Sequence, residues 1–161
     1  MKFEKYIKLT EDEIFKAASP DEVKQRKAKY PEMRLKEIID EILSRSTKNA
    51  DGTIDIEGDV DLRITNSFII SDDSSLNLKE LPNLNINKVN GSFNCSNNKL
   101  TSLKGCPKII NDDFECGGNQ LTSLKGCPKE VNGDFICWNN KKEFTKEEVR
   151  QYCNVKGEID V

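Results

Sequence analysis

The sequence predicts an α+β protein in which short parallel strands, one set per 21-residue repeat, stack between an N-terminal helical cap and a C-terminal capping helix. Three observations predict it. The octapeptides FNCSNNKL from Phe93, FECGGNQL from Phe114 and FICWNNKK from Phe135 recur at a spacing of 21 residues. The run LTSLKGCP from Leu100 to Pro107 returns letter for letter from Leu121 to Pro128. Helix-start signals cluster in the first fifty residues and again at Thr145, on either side of the repeats. A unit this short cannot bury its own apolar face, so its copies must stack and share one core.

Within a unit, Phe93 and Cys95 alternate with Asn94 and Ser96, the period of two that marks a strand with one buried face. Leu100 and Leu103 continue the apolar set beyond a turn marked by Asn98. A 21-residue advance superposes Phe93, Phe114 and Phe135; Cys95, Cys116 and Cys137; and Asn98, Asn119 and Asn140, so three inward ladders are expected. The asparagine ladder has a chemical reason: an amide offers donor and acceptor together and can satisfy turn backbone groups that stacking would bury unpaired. Gly105 with Pro107, and Gly126 with Pro128, punctuate the return segments.

The octapeptides resemble the leucine-rich-repeat strand motif L-x-L-x-x-N-x-L, with Phe and Cys in place of the first two leucines; the third copy departs, carrying Lys142 where a leucine belongs. With the LTSLKGCP return and the entry Val89, Gly91, Phe93, the unit is similar to the short leucine-rich-repeat proteins encoded by bacteriophages and some bacteria. The resemblance covers about residues 53 to 144, most closely from Val89 to Asn140. It implies a short leucine-rich-repeat solenoid that works as an interaction scaffold, and a setting in which a phage-encoded factor binds and inhibits a host enzyme or defence complex.

Residues 1–48 follow a helical grammar. Thr10 with Glu13, and Ser19 with Pro20 and Glu22, are helix-start patterns, and Pro31 with Glu32 predicts a third helix. The apolar stripe Leu35, Ile38, Ile39, Ile42 and Leu43 of that helix either seals the first repeat or forms a separate binding unit. The repeats occupy residues 49–144. There Thr47 to Gly52 reads as a linker, and Ile54, Ile56, Val60 and Leu62 as a hairpin or degenerate first strands. The register is lost between Asn66 and Ser75, where an insertion around SDDSS is expected, and returns at Leu78, Leu81 and Val89.

Residues 145–161 form the C-terminal cap. Thr145 with Glu148 is a capping box before a helix carrying Val149, Tyr152 and Cys153, the polar Lys142 ends the leucine pattern, and Phe144 plugs the last core layer. The final GEIDV, Gly157 to Val161, is expected to fray.

Outward residues fall into columns: Ser92, Asp113 and Asp134; Asn94, Glu115 and Ile136; Ser96, Gly117 and Trp138. One end of this surface is small and acidic. The other places Ile136 beside the chain's single tryptophan at positions where the pattern asks for polar residues. Either these two are an interface anchor set in a polar surround, or the C-terminal helix folds over them. The candidate partner-binding residues are therefore Trp138, Ile136, Glu115, Asp113, Asp134 and Asn94.

Charge agrees with that choice. Residues 1–50 carry 12 Lys and Arg against 10 Asp and Glu, net +2, and residues 51–161 carry 13 against 18, net −5. An acidic repeat surface favours a protein partner with a basic surface and repels nucleic acid. The rival reading, a nucleic-acid-binding accessory protein, would use the basic run Lys24, Arg26, Lys27 and Lys29, which lacks interleaved aromatics.

Other chemistries find little footing. The chain has no histidine, which removes Ser-His and Cys-His nucleophile pairs, and Gly117 and Gly118 lack the lysine of a phosphate cradle. Asp72 with Asp73 and Asp112 with Asp113 lie where turns form. The repeat phase explains five of six cysteines, namely Cys95, Cys116, Cys137, Cys106 and Cys127, leaving Cys153 in the C-terminal helix; they read as small buried hydrophobes rather than as disulfides or zinc ligands. No catalytic residue, cofactor or metal is expected. The opening MKFEKYIKLTEDE lacks an apolar run of signal-peptide length and no window approaches a membrane span, so a cytoplasmic protein is expected.

Overall fold

Ser19 followed by Pro20 opens helix α1, Pro20–Ser44, as the start signal predicts. The computed structural model of the chain describes residues 19–63 and 76–161. The Thr10 and Glu13 pattern and the insertion around SDDSS lie outside the described residues.

One expectation in this region is corrected. Pro31 does not begin a helix but lies inside α1, which runs through it without a break. Proline forfeits one backbone hydrogen bond there, a cost of about 3 kcal/mol. The strong helix formers on both sides, KQRKAK before and EMRLKEI after, carry the helix across. Its last turns supply the seal: Ile38 and Ile42 are buried in the common core and Leu35 packs against it. Leu43, at the end of the predicted stripe, is 44% exposed. Beyond the helix the Arg45 guanidinium donates to the carbonyl oxygens of Glu57 and Asp59, tying the cap to the first strands.

Eleven short strands follow among the described residues. They are β1 Ser46–Lys48, β2 Ile54–Glu57, β3 Val60–Asp61, β4 Ile86–Asn90, β5 Phe93–Asn94 and β6 Ile109–Ile110, then β7 Phe114–Glu115, β8 Glu130–Val131, β9 Phe135–Ile136, β10 Asn154–Val155 and β11 Ile159–Asp160. Helix α2, Lys146–Tyr152, separates β9 from β10. Each repeat gives one strand to each of two sheets. Sheet A has the order β1-β2-β4-β6-β8-β10, and sheet B β11-β9-β7-β5-β3. All pairings are parallel except β1 with β2. The hairpin is therefore not made within Ile54 to Leu62, whose β2 and β3 are the degenerate first parallel strands; it is made by β2 with β1, which takes Thr47 and Lys48 out of the expected linker.

The predicted ladders stand in register. In sheet B, Val60 pairs with Phe93, Phe93 with Phe114, Phe114 with Phe135 and Phe135 with Ile159. The Phe93 and Phe114 rings lie 6.2 Å apart and those of Phe114 and Phe135 meet edge-on at 5.0 Å. Cys95, Cys116 and Cys137 are buried beside them. In sheet A the inward column is Ile56, Val89, Ile110, Val131 and Val155.

The asparagine ladder joins each repeat to the one before. Asn119 Nδ2 donates to the carbonyl oxygens of Cys95, Cys116 and Gly117 at 3.0–3.3 Å, and its Oδ1 accepts the Leu100 N–H at 3.0 Å. Asn98 does the same toward Leu62, Cys95, Ser96 and Leu78. Asn140 bonds the carbonyls of Cys116 and Cys137 and the Leu121 N–H.

A second ladder was not anticipated. On the outer face of sheet A, Asn90 donates to Glu57, Asn111 to Asn90 and Asn132 to Asn111. It ends on a buried Asn132 Oδ1 that accepts nothing among the described residues.

The far end corrects another expectation. The Gly157–Val161 segment does not fray: Ile159 pairs with Phe135 and is buried, and Val155 pairs with Val131. The reason is an open parallel edge left by β8 and β9, onto which Val155, Gly157 and Ile159 fit as a copy of Val131, Gly133 and Phe135. Helix α2 takes the place of a return segment, with the capping box of Thr145 and Glu148 formed as predicted and Val149 fully buried. Phe144 is buried at the same end, beneath Lys142, whose ammonium lies 5.3 Å from its ring centre and also pairs with Glu148.

Candidate partner-binding face

Sheet B carries the columns of interest. Its strands are two residues long and their inward side chains are fully committed, so the outward residues and those flanking them form the surface.

The column before the strands, Asp59, Ser92, Asp113, Asp134 and Glu158, has a structural duty. Asp59 Oδ1 accepts the Ser92 N–H at 2.8 Å, Asp113 Oδ1 the Asp134 N–H at 2.8 Å, and Asp134 Oδ1 the Glu158 N–H at 2.7 Å. Each clasp brings the carboxylate against a glycine of the next repeat: Gly91, Gly133 or Gly157. A Cβ on any of the three would fall under 3.0 Å from that oxygen and from backbone behind it. The exception follows the rule, for where the shorter Ser92 replaces the aspartate, the next repeat has Asp112 in place of glycine. Asp113 and Asp134 are half-buried accordingly, each with one oxygen engaged.

The middle column reads Asp61, Asn94, Glu115, Ile136 and Asp160 in strand register. Asn94 was expected to face outward and free. It is buried instead, 5% exposed, and its Oδ1 accepts the N–H and hydroxyl of Ser96 at 3.0 and 2.8 Å, closing a local turn. Glu115 and Ile136 are half-buried and Asp160 is exposed. Asp61 holds Arg63 through two bonds of 2.8 and 3.0 Å; this pairing, with Glu115 further off, raises the guanidinium pKa.

In the last column, Trp138 is 43% exposed and lies over Gly117, which is buried beneath it. A Cβ on Gly117 would meet the indole Cδ2 at 3.3 Å and the Trp138 carbonyl oxygen at 3.0 Å. Helix α2 packs against β11 and leaves the indole exposed, so of the two alternatives read from the sequence the uncovered one holds for Trp138.

The structure therefore brings Trp138, Ile136, Glu115, Asp113 and Asp134 onto one face and withdraws Asn94 from it. Sequence reasoning missed Asp160 and Glu158, because the last strand arrives 24 residues after its predecessor instead of 21. The entry pattern at Val155, Gly157 and Ile159 was the signal that would have found them. The repeat lysines Lys99, Lys104, Lys108, Lys125 and Lys129 stand exposed on the return segments, and none pairs with a carboxylate of this face among the described residues.

Elsewhere the surface offers less. A cavity of about 10 Å³ between Ile42, Val60, Leu62, Leu81 and Phe93 has room for about one water and apolar walls. No metal-binding cluster occurs among the described residues, and no helix among them is long and apolar enough to cross a membrane. The side chains of Lys24, Arg26, Lys27 and Lys29 lie outside the described residues. No family model matches the chain, and neither a curated protein nor a solved structure was found to match it.

Proposed function

We propose that the chain is a short leucine-rich-repeat protein of the phage and bacterial type that acts by binding, not by catalysis, and that sheet B holds a protein partner with a basic surface. The 21-residue phase, the asparagine turn ladder and the parallel register of strands support the repeat reading. One observation carries the functional reading: a tryptophan left 43% exposed, bedded on a glycine and next to Ile136, whose strand partners are the acids Glu115 and Asp160. Exposed aromatic anchors in a polar surround are what binding hot spots consist of. The acidic surround steers a basic partner during encounter and the indole supplies the desolvated anchor. Inhibition of a host enzyme or defence complex is the consequence that fits such a binder, by masking the surface it covers.

Capture from a host lysate with and without nuclease tests the reading. A partner retained after nuclease treatment and lost with Trp138→Ala is expected, the substitution costing about 2 kcal/mol, roughly thirtyfold in affinity. Capture that disappears with nuclease, or that ignores Trp138→Ala, would move the function to nucleic acid or to another surface.

A further inference from the structure

Ile136 is the centre of a four-sided arrangement. Asp134 precedes it and Trp138 follows it just beyond the ends of its strand, where the ladder hydrogen bonds from Phe114 N–H to the Asp134 carbonyl and from Gly118 N–H to the Trp138 carbonyl continue the extended backbone, so both stand on its face. In the register of sheet B its partner is Glu115 on one side and Asp160 on the other, with neighbouring backbones about 4.8 Å apart. None of these three carboxylates forms an ion pair among the described residues, since Arg63 is held by Asp61. Asp134 is half committed to the Glu158 N–H and Glu115 meets Arg63 only at longer range, which leaves Glu115 and Asp160, beside the isoleucine, without a side-chain hydrogen bond or ion pair among the described residues. The indole is positioned by the missing side chain of Gly117.

We propose that this arrangement binds an arginine side chain presented by an extended segment of the protein partner, the aliphatic stem lying on Ile136, the guanidinium stacked on Trp138 and bonded to Glu115 and Asp160. The inference rests on the reading of sheet B as a protein-binding face and names the group it recognises. Carboxylates alone would draw any cation. The apolar centre selects a cation with a long stem, and the indole selects one with a flat face. Lysine has the stem and the charge but lacks the planar fork that stacks on a ring while bonding two carboxylates.

Trp138 is the only tryptophan in the chain, so its emission reads the site directly. The full chain is titrated at low salt with a tetra-arginine peptide, with tetralysine, and with tetracitrulline, which keeps the shape of arginine and loses its charge. A saturable change of emission is expected for the arginine peptide, binding about tenfold weaker for lysine, and none for citrulline. Glu115→Gln with Asp160→Asn should weaken arginine binding by about tenfold or more, and each single variant by a smaller factor, at an unchanged melting temperature. The single variants keep the test intact if the pair impairs folding. Equal affinity for lysine, unaltered arginine binding in the charge variants, or an emission that ignores the arginine peptide would each overturn the proposal. A partner captured through Trp138 by a chain indifferent to arginine would sink the clamp and leave the binding face standing. Arginine binding without any Trp138-dependent partner would sink the face and leave the clamp.

Discussion

The Oδ1 atom of Asp113 fills the space that a side chain on Gly133 would need. It accepts the Asp134 N–H at 2.8 Å, and a Cβ on Gly133 would fall under 3.0 Å from it. The same pairing of an aspartate in one repeat with a glycine in the next recurs for Asp59 with Gly91 and Asp134 with Gly157, so the repeats are locked by a two-residue rule that spans their junction. Gly133→Ala should destabilise by about 1–3 kcal/mol through forced overpacking. Asp113→Ser added to Gly133→Ala, which like the natural pair Ser92 and Asp112 sets a shorter side chain against a residue that has a Cβ, should recover part of that loss. Melting curves of the two variants and the double variant decide it, and strictly additive losses would mean that the two residues are not coupled.

Phe114 is fully buried between two other rings. Phe114→Ala should cost about 3–5 kcal/mol, the usual penalty for emptying such a site, while Glu115→Ala beside it should be nearly neutral. Equal melting temperatures for the two variants would contradict the observed register.

Asn119 is 7% exposed and makes four hydrogen bonds to backbone groups of two repeats. Replacing it with leucine strands the Leu100 N–H and the carbonyls, and each buried group left unpaired costs about 1–3 kcal/mol. Asn119→Leu should therefore unfold at lower denaturant concentration than Asn132→Leu, since the Asn132 Oδ1 accepts no bond among the described residues. The reverse order would show that the turn ladder is dispensable.

Burial pushes the thiols of Cys127 and Cys153 up to about 12, from a usual value near 9. In the unfolded chain they lose their protons near pH 9, in the folded one near 12, so between these values the unfolded state binds fewer protons and stability falls as pH rises. Below pH 9 this contribution is fully present. The melting temperature of the native chain should drop more between pH 8.5 and about 10.5 than that of a Cys127→Ala, Cys153→Ala variant, and parallel curves would rule the thiols out.

Gly117 tests how the indole is held. Gly117→Val should push Trp138 off its bed, shift its emission to the red and weaken partner binding although the tryptophan is still present. Unchanged emission would mean that the ring does not depend on that glycine.

The sequence by itself determined the inward ladders and their phase. Phe93, Phe114 and Phe135, with the cysteine and asparagine columns, could be read because a parallel stack repeats every environment at the interval at which the residues recur. It also determined the capping box at Thr145 and Glu148, a purely local signal. Tertiary structure decided what local signals leave open. Pro31 stays within α1 because helix formers flank it, and Asn154–Val155 and Ile159–Asp160 became strands because an unpaired parallel edge was waiting for them. Asn94 and Trp138 occupy outward positions in neighbouring columns, yet one is buried at 5% and the other 43% exposed. That difference depends on what surrounds each position, and periodicity records only which side of the strand a residue takes. Glu115 and Ile136 follow the 21-residue spacing, but Asp160 joins them only in the folded chain, because the helix inserted before the last repeat changed the interval from 21 to 24 residues.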